Sequence, residues 1–210
     1  MCIRDSHDEE EHHDEDEHHD EDEHEMEIDY FNKDYSETSF AVNFSRDVND
    51  NFTVSLGLAR VERAPSAVEL FMNGAHLVTG RFEVGNTDLE SETANNVDLN
   101  IFYQNNNFSL RGNIFKNDID NYIYLQDNAN GAKLEGVVIA NHSQKDAEFD
   151  GYEFSVSSDF DLYDGNLAVM IGTDYVDGKF TDGTNIPRIT PSRNIYSFVY
   201  TQDDPVSYTH

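Results

Sequence analysis

The stretch FAVNFSRDVNDNFTVSLGLARVER, residues 40–63, contains two runs in which apolar and polar side chains alternate. The apolar positions are Phe40, Val42 and Phe44 in the first run and Phe52, Val54, Leu56 and Leu58 in the second. A period of two with β-branched and aromatic residues indicates strands that have one apolar and one polar face. Residues 47–51 between the runs, all polar except Val48, predict a short turn.

The same alternation recurs along the rest of the chain. It predicts seven strands, at about 36–46, 52–62, 92–104, 107–125, 148–158, 165–176 and around residues 196–200. Short turns join the strands within each pair, whereas the connections 63–91, 126–147 and 177–191 are long. A soluble β-sandwich also has strands with an apolar and a polar face, but its connections do not alternate between short and long in this way. We therefore predict an all-β fold, an antiparallel transmembrane β-barrel with short periplasmic turns and long extracellular loops.

Residues 7–25 contain only histidine, aspartate and glutamate, and the hexad His-His-Asp-Glu-Asp-Glu occurs twice, at 12–17 and 18–23. Imidazole and carboxylate together suit a borderline transition metal, zinc first. Neighbouring histidines project in different directions, so we expect a flexible collector with several weak sites. The alternative is a solvated acidic segment with incidental histidines. The candidate ligands are His7, His12, His13, His18, His19, His24, Asp14, Glu15, Asp20 and Glu21.

The alternation of short and long connections also predicts on which side of the barrel this run lies. It precedes a strand that leads to a short turn, so residues 7–27 are predicted to be an acidic extracellular loop. The barrel region is predicted at 28–204, and the ends 1–6 and 205–210 interrupt their neighbouring patterns and are expected to be non-native.

The composition excludes several classes of protein. The formal charge of −30 argues against nucleic-acid binding, because phosphates require lysine and arginine. The single cysteine, Cys2, excludes a disulfide framework or a cysteine-based zinc site. The sequence contains no apolar stretch long enough for a transmembrane helix, and Met1–Ser6 lacks the apolar region of a signal peptide. We find no enzyme signature, so we expect neither an enzyme nor a catalytic cofactor.

Two motifs lie between the second and third predicted strands. Arg63-Ala-Pro65-Ser66 is followed by Glu69-Leu-Phe71, and Gly85-Asn-Thr-Asp-Leu89 is followed by Glu92-Thr93. They resemble the arginine-alanine-proline box and the asparagine-leucine box of TonB-dependent outer-membrane receptors, although Thr87 stands where many members carry proline. Ser66 and Glu69 also form a capping box for a short helix that Gly74 can end. The residues expected to structure this loop are Arg63, Pro65, Ser66, Glu69, Asn86 and Leu89.

The resemblance implies a 22-stranded barrel in the outer membrane of a Gram-negative bacterium, of which this chain holds about seven C-terminal strands. It also implies a plug that couples the receptor to the TonB energy complex, with membrane lipid and a metal ion as further partners. With its acidic histidine-rich loop, the chain looks most like the zinc-uptake receptors of the family. Haem receptors also place a histidine between the two boxes, so a haem or siderophore-iron receptor is the alternative. A third possibility is an outer-membrane protein whose acidic run is a non-metal interaction segment.

Four residues outside the run are weighed separately. His76 lies between the two boxes and is either a metal or haem ligand or a hydrogen-bonding loop residue. His142, with Asp146 and Glu148 nearby, is expected in a solvated loop. Tyr122 and Tyr124 are expected in an interfacial aromatic girdle.

Overall fold

The computed structural model describes residues 33–202. The predicted histidine-rich loop 7–27, with its candidate ligands, lies outside the described residues. So do both predicted non-native ends.

Seven long strands and four short elements make up the fold. In chain order they are β1 Phe40–Asn49, β2 Phe52–Arg63, α1 Ala67–Phe71, β3 Asn73–His76, β4 Arg81–Val84, β5 Glu92–Gln104, β6 Phe108–Asp127, β7 Lys133–Leu134, β8 Val137–Leu162, β9 Gly165–Phe180 and β10 Arg193–Gln202. Among the described residues no helix is long and apolar enough to cross a membrane.

The seven long strands are β1, β2, β5, β6, β8, β9 and β10, and each pairs antiparallel with the next one along the chain. Short turns at 50–51, 105–107 and 163–164 alternate with the longer connections 64–91, 128–136 and 181–192. The strands form an open sheet whose edges are β1 and β10. The predicted number of strands, their antiparallel pairing and the alternation of short turns with long connections are confirmed.

The pairing gives the sheet an apolar face and a polar face. One row of laterally paired residues on the apolar face is Leu56, Leu99, Ile114, Tyr152 and Tyr175. The adjacent row on the polar face is Ser55, Asn100, Asn113, Glu153, Asp174 and Arg193. Side chains of the apolar row are well exposed, with Ile114 at 53%. Such a broad apolar surface is typical of the lipid-facing side of a barrel, and the polar face of its interior.

The long connection predicted at 126–147 is mostly strand. β8 begins at Val137, and its ladder with β6 continues up to the pair Asp127–Ala140. The prediction of the loop bounds was wrong because residues 137–147 mix polar and apolar side chains on both faces. This segment therefore lacks the strict alternation on which the prediction of a strand depends.

A β-bulge in β6 changes which face its side chains occupy. The register shifts between Ile119 and Tyr122, and Asn121 adopts a left-handed φ of 57°. The extra residue turns Tyr122 and Tyr124 onto the polar face, where they pack with a cluster formed by Ala147, Phe180 and Ile186. The expectation of a lipid-facing aromatic girdle at these two tyrosines was therefore wrong, because strand periodicity cannot reveal one inserted residue.

The same bulge turns Ile123 onto the opposite side of the sheet. There it packs with Leu70 and Leu89 from connection 64–91, and Tyr35 packs against this second cluster. The connection thus crosses the sheet on the side that continues the apolar face. It reaches β8, where β4 adds to the sheet as a parallel strand.

Candidate functional site

The connection between β2 and β5 begins with an ion-pair network around Arg63. Its guanidinium donates to both carboxylate oxygens of Glu69, at 2.9 and 3.2 Å, and to Glu92 Oε2 at 2.7 Å. Glu92 Oε1 in turn accepts from the backbone amide of Ile123. Arg63 therefore joins the helix, the start of β5 and β6 beside its bulge.

The first box folds locally as the sequence predicts. Ser66 Oγ accepts from the Glu69 amide and the Glu69 side chain accepts from the Ser66 amide, which completes a capping box, and Pro65 before it is buried. The prediction that Gly74 ends the helix was wrong. The chain leaves the helix at Met72, whose ψ of 134° is extended, and Gly74 is already part of β3.

The second box folds back onto this helix. Gly85 donates to the carbonyl of Met72 at 2.6 Å, and Asn86 donates to the carbonyl of Glu69 at 2.9 Å. A Cβ at Gly85 would lie 2.5 Å from the carbonyl carbon of Leu70, so only glycine permits this approach. The two boxes are therefore two halves of one packed unit.

Asn86 and Leu89 fix the rest of this box. The Asn86 side chain accepts from the amide of Asp88 at 2.9 Å, which forms the turn without a proline at the exposed Thr87. Leu89 is 1% exposed, and Tyr35 donates to its carbonyl at 3.0 Å. The chain segment just before β1 is thereby anchored to connection 64–91.

Between the boxes, β3 and β4 form a hairpin that brings two of its residues to β8. His76 pairs with Arg81 and Gly74 pairs with Glu83, so the side chains of His76 and Glu83 share one face. Glu83 is also the parallel partner of Ala140 in β8, two residues before His142. Because side chains alternate along a strand, His142 lies on the same face as Ala140 and as Tyr152 of the apolar row.

Glu83 is the one charged residue that is buried among the described residues, and its exposure is 2%. Its Oε1 accepts from Thr79 Oγ1 at 2.6 Å and lies 2.9 Å from His76 Nδ1. Burial alone would raise the pKa of this carboxyl group. The hydrogen bonds from Thr79 and His76 outweigh burial and, with the charges of both histidines, hold the pKa below its ordinary value.

His142 faces the other oxygen of the same carboxylate. Its Nε2 lies 3.7 Å from Glu83 Oε2, which is too long for a hydrogen bond. This nitrogen is buried without a hydrogen-bond partner within residues 33–202, and the His142 side chain is only 10% exposed. The prediction of a solvated loop was therefore wrong for His142.

Its two expected neighbours are engaged elsewhere. Asp146 accepts from the amide of Asn121 at 2.9 Å, and Glu148 accepts from Lys116 at 3.4 Å.

The structure thus places His76, Glu83 and His142 together, which we name the His–Glu–His cluster. Sequence reasoning identified His76 but missed Glu83. The sequence did contain a signal for Glu83, because this charged residue lies between the apolar Phe82 and Val84 in a four-residue strand. Within residues 33–202 no group of three or more histidine, cysteine, aspartate or glutamate side chains could hold a metal ion.

A second charged group fastens the hairpin beside this cluster. Arg81 donates to both oxygens of Asp127, at 2.8 and 3.0 Å, and Arg188 donates to the same carboxylate at 3.0 Å. The hydrogen bonds from Arg81, with the charges of both arginines, hold the pKa of Asp127 below its ordinary value. The hairpin is therefore attached to β6 as well as to β8.

Comparison with known proteins agrees with this fold. A family model described as TonB dependent receptor-like, beta-barrel matches residues 11–208. The probable hemoglobin and hemoglobin-haptoglobin-binding protein 1 of Haemophilus influenzae is 25% identical over 189 residues, which are 83% of this chain and 17% of the relative. The ferrienterobactin receptor of Escherichia coli is 29% identical over 108 residues, 45% of this chain and 14% of the relative.

Among solved structures, the copper transporter OprC superimposes with a TM-score of 0.61 at 20% identity, over 78% of this chain and 24% of that one. This likeness concerns the fold alone. The chain spans less than a fifth of the length of either curated relative. The relatives are named as receptors, binding proteins or transporters and not as enzymes. Since the family model covers nearly the whole sequence and the antiparallel sheet agrees with it, the chain belongs to the TonB dependent receptor-like β-barrel family.

Proposed function

We propose that this chain is part of an outer-membrane active-transport receptor that imports a metal ion, zinc first. The observation that carries the proposal is Glu83, a buried carboxylate held between two histidines in the long-loop region. Buried charges in proteins are paired or coordinate metals, and imidazole with carboxylate suits zinc. The histidine-rich run 7–25 supports the same cargo, because it offers many more ligands of the same two types.

The run and the cluster have different roles in this proposal. The run is a collector that raises the local metal concentration through weak, exchanging sites. The ion then passes toward a tighter site near His76, whose ring is hydrogen-bonded to the buried Glu83. Entry into the barrel interior then requires the TonB energy complex, acting through the plug domain of the whole receptor. The remaining partner is outer-membrane lipid, in a Gram-negative envelope.

Uptake of radioactive zinc by cells that produce the complete receptor tests the proposal. Zinc uptake from zinc-depleted medium should require the receptor and should stop when the proton-motive force is collapsed. Replacing the six histidines of the run by glutamine should reduce uptake at low zinc and leave it unchanged at saturating zinc. Receptor-independent zinc uptake would refute the assignment of zinc as cargo.

A second candidate is import of haem or siderophore iron, which the names of the two curated relatives support. His76 also supports haem, because Glu83 occupies its Nδ1 and leaves Nε2 as the nitrogen that would ligate iron. Metal-ligating histidines usually donate their other ring nitrogen to a carboxylate, a backbone carbonyl or water. A Soret shift that disappears in His76→Ala but persists in His142→Gln would favour haem over zinc.

The third candidate is a non-metal role of the acidic run in binding or repelling envelope partners. It is supported by the charge of −30 and by the usual behaviour of acidic blocks. In that case the six histidine-to-glutamine replacements have no effect. Neutralising the acids of the run, with the histidines kept, should then abolish the run's contribution.

A further inference from the structure

We propose that Asp127 is a latch that fastens the two long connections 64–91 and 181–192 to the end of β6, and that its opening releases both connections together. Asp127 is the last residue of β6 and belongs to neither connection. The inference goes beyond the proposed uptake of a metal, because it concerns how the long connections move and does not depend on the cargo.

The first partner of Asp127 is Arg81, in β4 of connection 64–91. Its Nε and Nη2 donate to the two oxygens of Asp127, at 2.8 and 3.0 Å, and its Nη1 donates to the carbonyl of Thr79 at 3.1 Å. A guanidinium that pairs with both oxygens of a carboxylate has a fixed orientation. Arg81 therefore holds the hairpin β3–β4 in one position relative to the end of β6.

The second partner is Arg188, in connection 181–192. Its Nη2 donates to Asp127 Oδ1 at 3.0 Å, and its Nη1 donates to the carbonyl of Leu125. The backbone of Arg188 has a φ of 66°, a left-handed conformation that residues other than glycine rarely adopt. The hydrogen bonds of its side chain offset this strain, so the loss of Asp127 favours a different backbone conformation at Arg188.

Asp127 is the link between the two connections. Among the ion pairs of residues 33–202, it is the carboxylate that pairs with a residue from each connection. A cavity of about 480 Å³ lies beside it, lined by Arg81 from one connection and by Thr184, Asn185 and Pro187 from the other. Because open space separates the connections at this point, they have room to move once Asp127 no longer pairs with both.

The strength of the latch suits a contact that opens and closes. The side chains of Arg81, Arg188 and Asp127 are 31, 42 and 45% exposed. Exposed ion pairs contribute little to stability because water and salt screen their charges, although two-oxygen pairing and a third charge make this group stronger than an isolated pair. The latch therefore orders both connections without fixing them permanently.

The test compares the unaltered complete receptor with Asp127→Asn in lipid nanodiscs, by hydrogen exchange and mass spectrometry. The substitution removes the charge and nearly preserves the size of the side chain. Exchange should become at least about threefold faster both in 81–84 and in 182–191. Asp182→Asn is the matched control, because it removes the partner of Lys145 within connection 181–192 only. It should accelerate exchange in 182–191 and leave 81–84 unchanged.

Salt gives a second readout that needs no substitution. Raising sodium chloride from about 0.1 M to about 1 M should accelerate exchange in both segments of the unaltered receptor, because the screening length becomes shorter. The same change should have no further effect on these segments in Asp127→Asn.

Faster exchange in only one of the two connections of Asp127→Asn, or in neither, would overturn the shared latch. If exchange also becomes faster in β5, which lies outside both connections, the substitution has unfolded the sheet. The salt response of the unaltered receptor then decides. A response confined to one connection overturns the proposal, and a parallel response of both supports it.

Discussion

At the scale of single residues, Glu83 shows how burial creates chemistry in this loop. A carboxylate with so little exposure is costly unless it is paired, and Thr79 and His76 supply its donors. The hydrogen bond also fixes the ring of His76, a residue whose position between the two boxes is all that the sequence reveals. Without the buried acid, the ring of His76 would lose this hydrogen bond.

Gly85 is the residue on which the packing of the two boxes depends. We expect Gly85→Ala to destabilise the loop by about 1–3 kcal/mol, because the new methyl group would overlap the Leu70 backbone. Hydrogen-exchange protection of the amides in α1 measures the effect. Gly74→Ala is the matched control, since its Cβ would meet only Met72 Cε at 3.9 Å. Equal loss of protection in both variants would contradict the close approach as the cause.

At the scale of elements, α1 has only five residues and depends on its surroundings. So short a helix is not stable alone in water, so the capping box, Arg63 and the buried Leu70 must hold it in place. Its polar contacts converge on Glu69, which links the cap to the ion-pair network.

The stability of α1 should depend on pH through Glu69. Burial would raise the pKa of Glu69, but bonds from Arg63 and Ser66 outweigh it and lower the pKa below 4.5. A folded pKa below the unfolded one stabilises the fold above the unfolded value, and this contribution is lost as pH falls through the folded value. Protection factors in α1 should therefore be constant from about pH 7 to 5 and fall below about pH 4.5. Glu69→Gln should give lower protection that no longer changes over that window.

The bulge in β6 is the element that decides which clusters form. We expect Asn121→Val to destabilise the upper part of the sheet by about 1–2 kcal/mol, because a β-branched residue is strained at φ 57°. Asn121→Gly, which accepts this conformation, should be tolerated. Denaturant unfolding of the complete receptor, followed by tyrosine fluorescence, compares the two variants. The role of the bulge is refuted if valine and glycine behave alike.

At the scale of the whole molecule, the two faces of the sheet meet different solvents. Leu99 lies in the apolar row and Asn100, its neighbour in β5, in the polar row. We expect Leu99→Arg to oppose folding into a bilayer by about 2–4 kcal/mol, and Asn100→Arg to have little effect. The folded fraction in lipid vesicles, read from heat-modifiable gel migration, measures both. The reverse order of effects would show that the faces are assigned the wrong way round.

The sequence was informative about the molecule wherever one side of a strand meets lipid. Strands between residues 40 and 63 are evident because a buried or lipid-facing side imposes a period of two. The parity of turns and loops then gives the barrel topology. Near the long connections the strict alternation is lost, and there the prediction failed, at the start of β8 and at the two tyrosines beyond the bulge.

What the sequence by itself determined was the all-β barrel fold, the order of its strands and the short helix capped by Ser66. These depend on local periodicity and local hydrogen bonds, which neighbouring residues specify. Only the tertiary structure decided the His–Glu–His cluster, because its members come from β3, β4 and β8 and meet through a parallel pairing between distant segments. The same holds for the burial of Glu83 and His142. Burial depends on the segments that pack around a residue, and no pattern within β4 or β8 encodes which segment will cover Glu83 or His142.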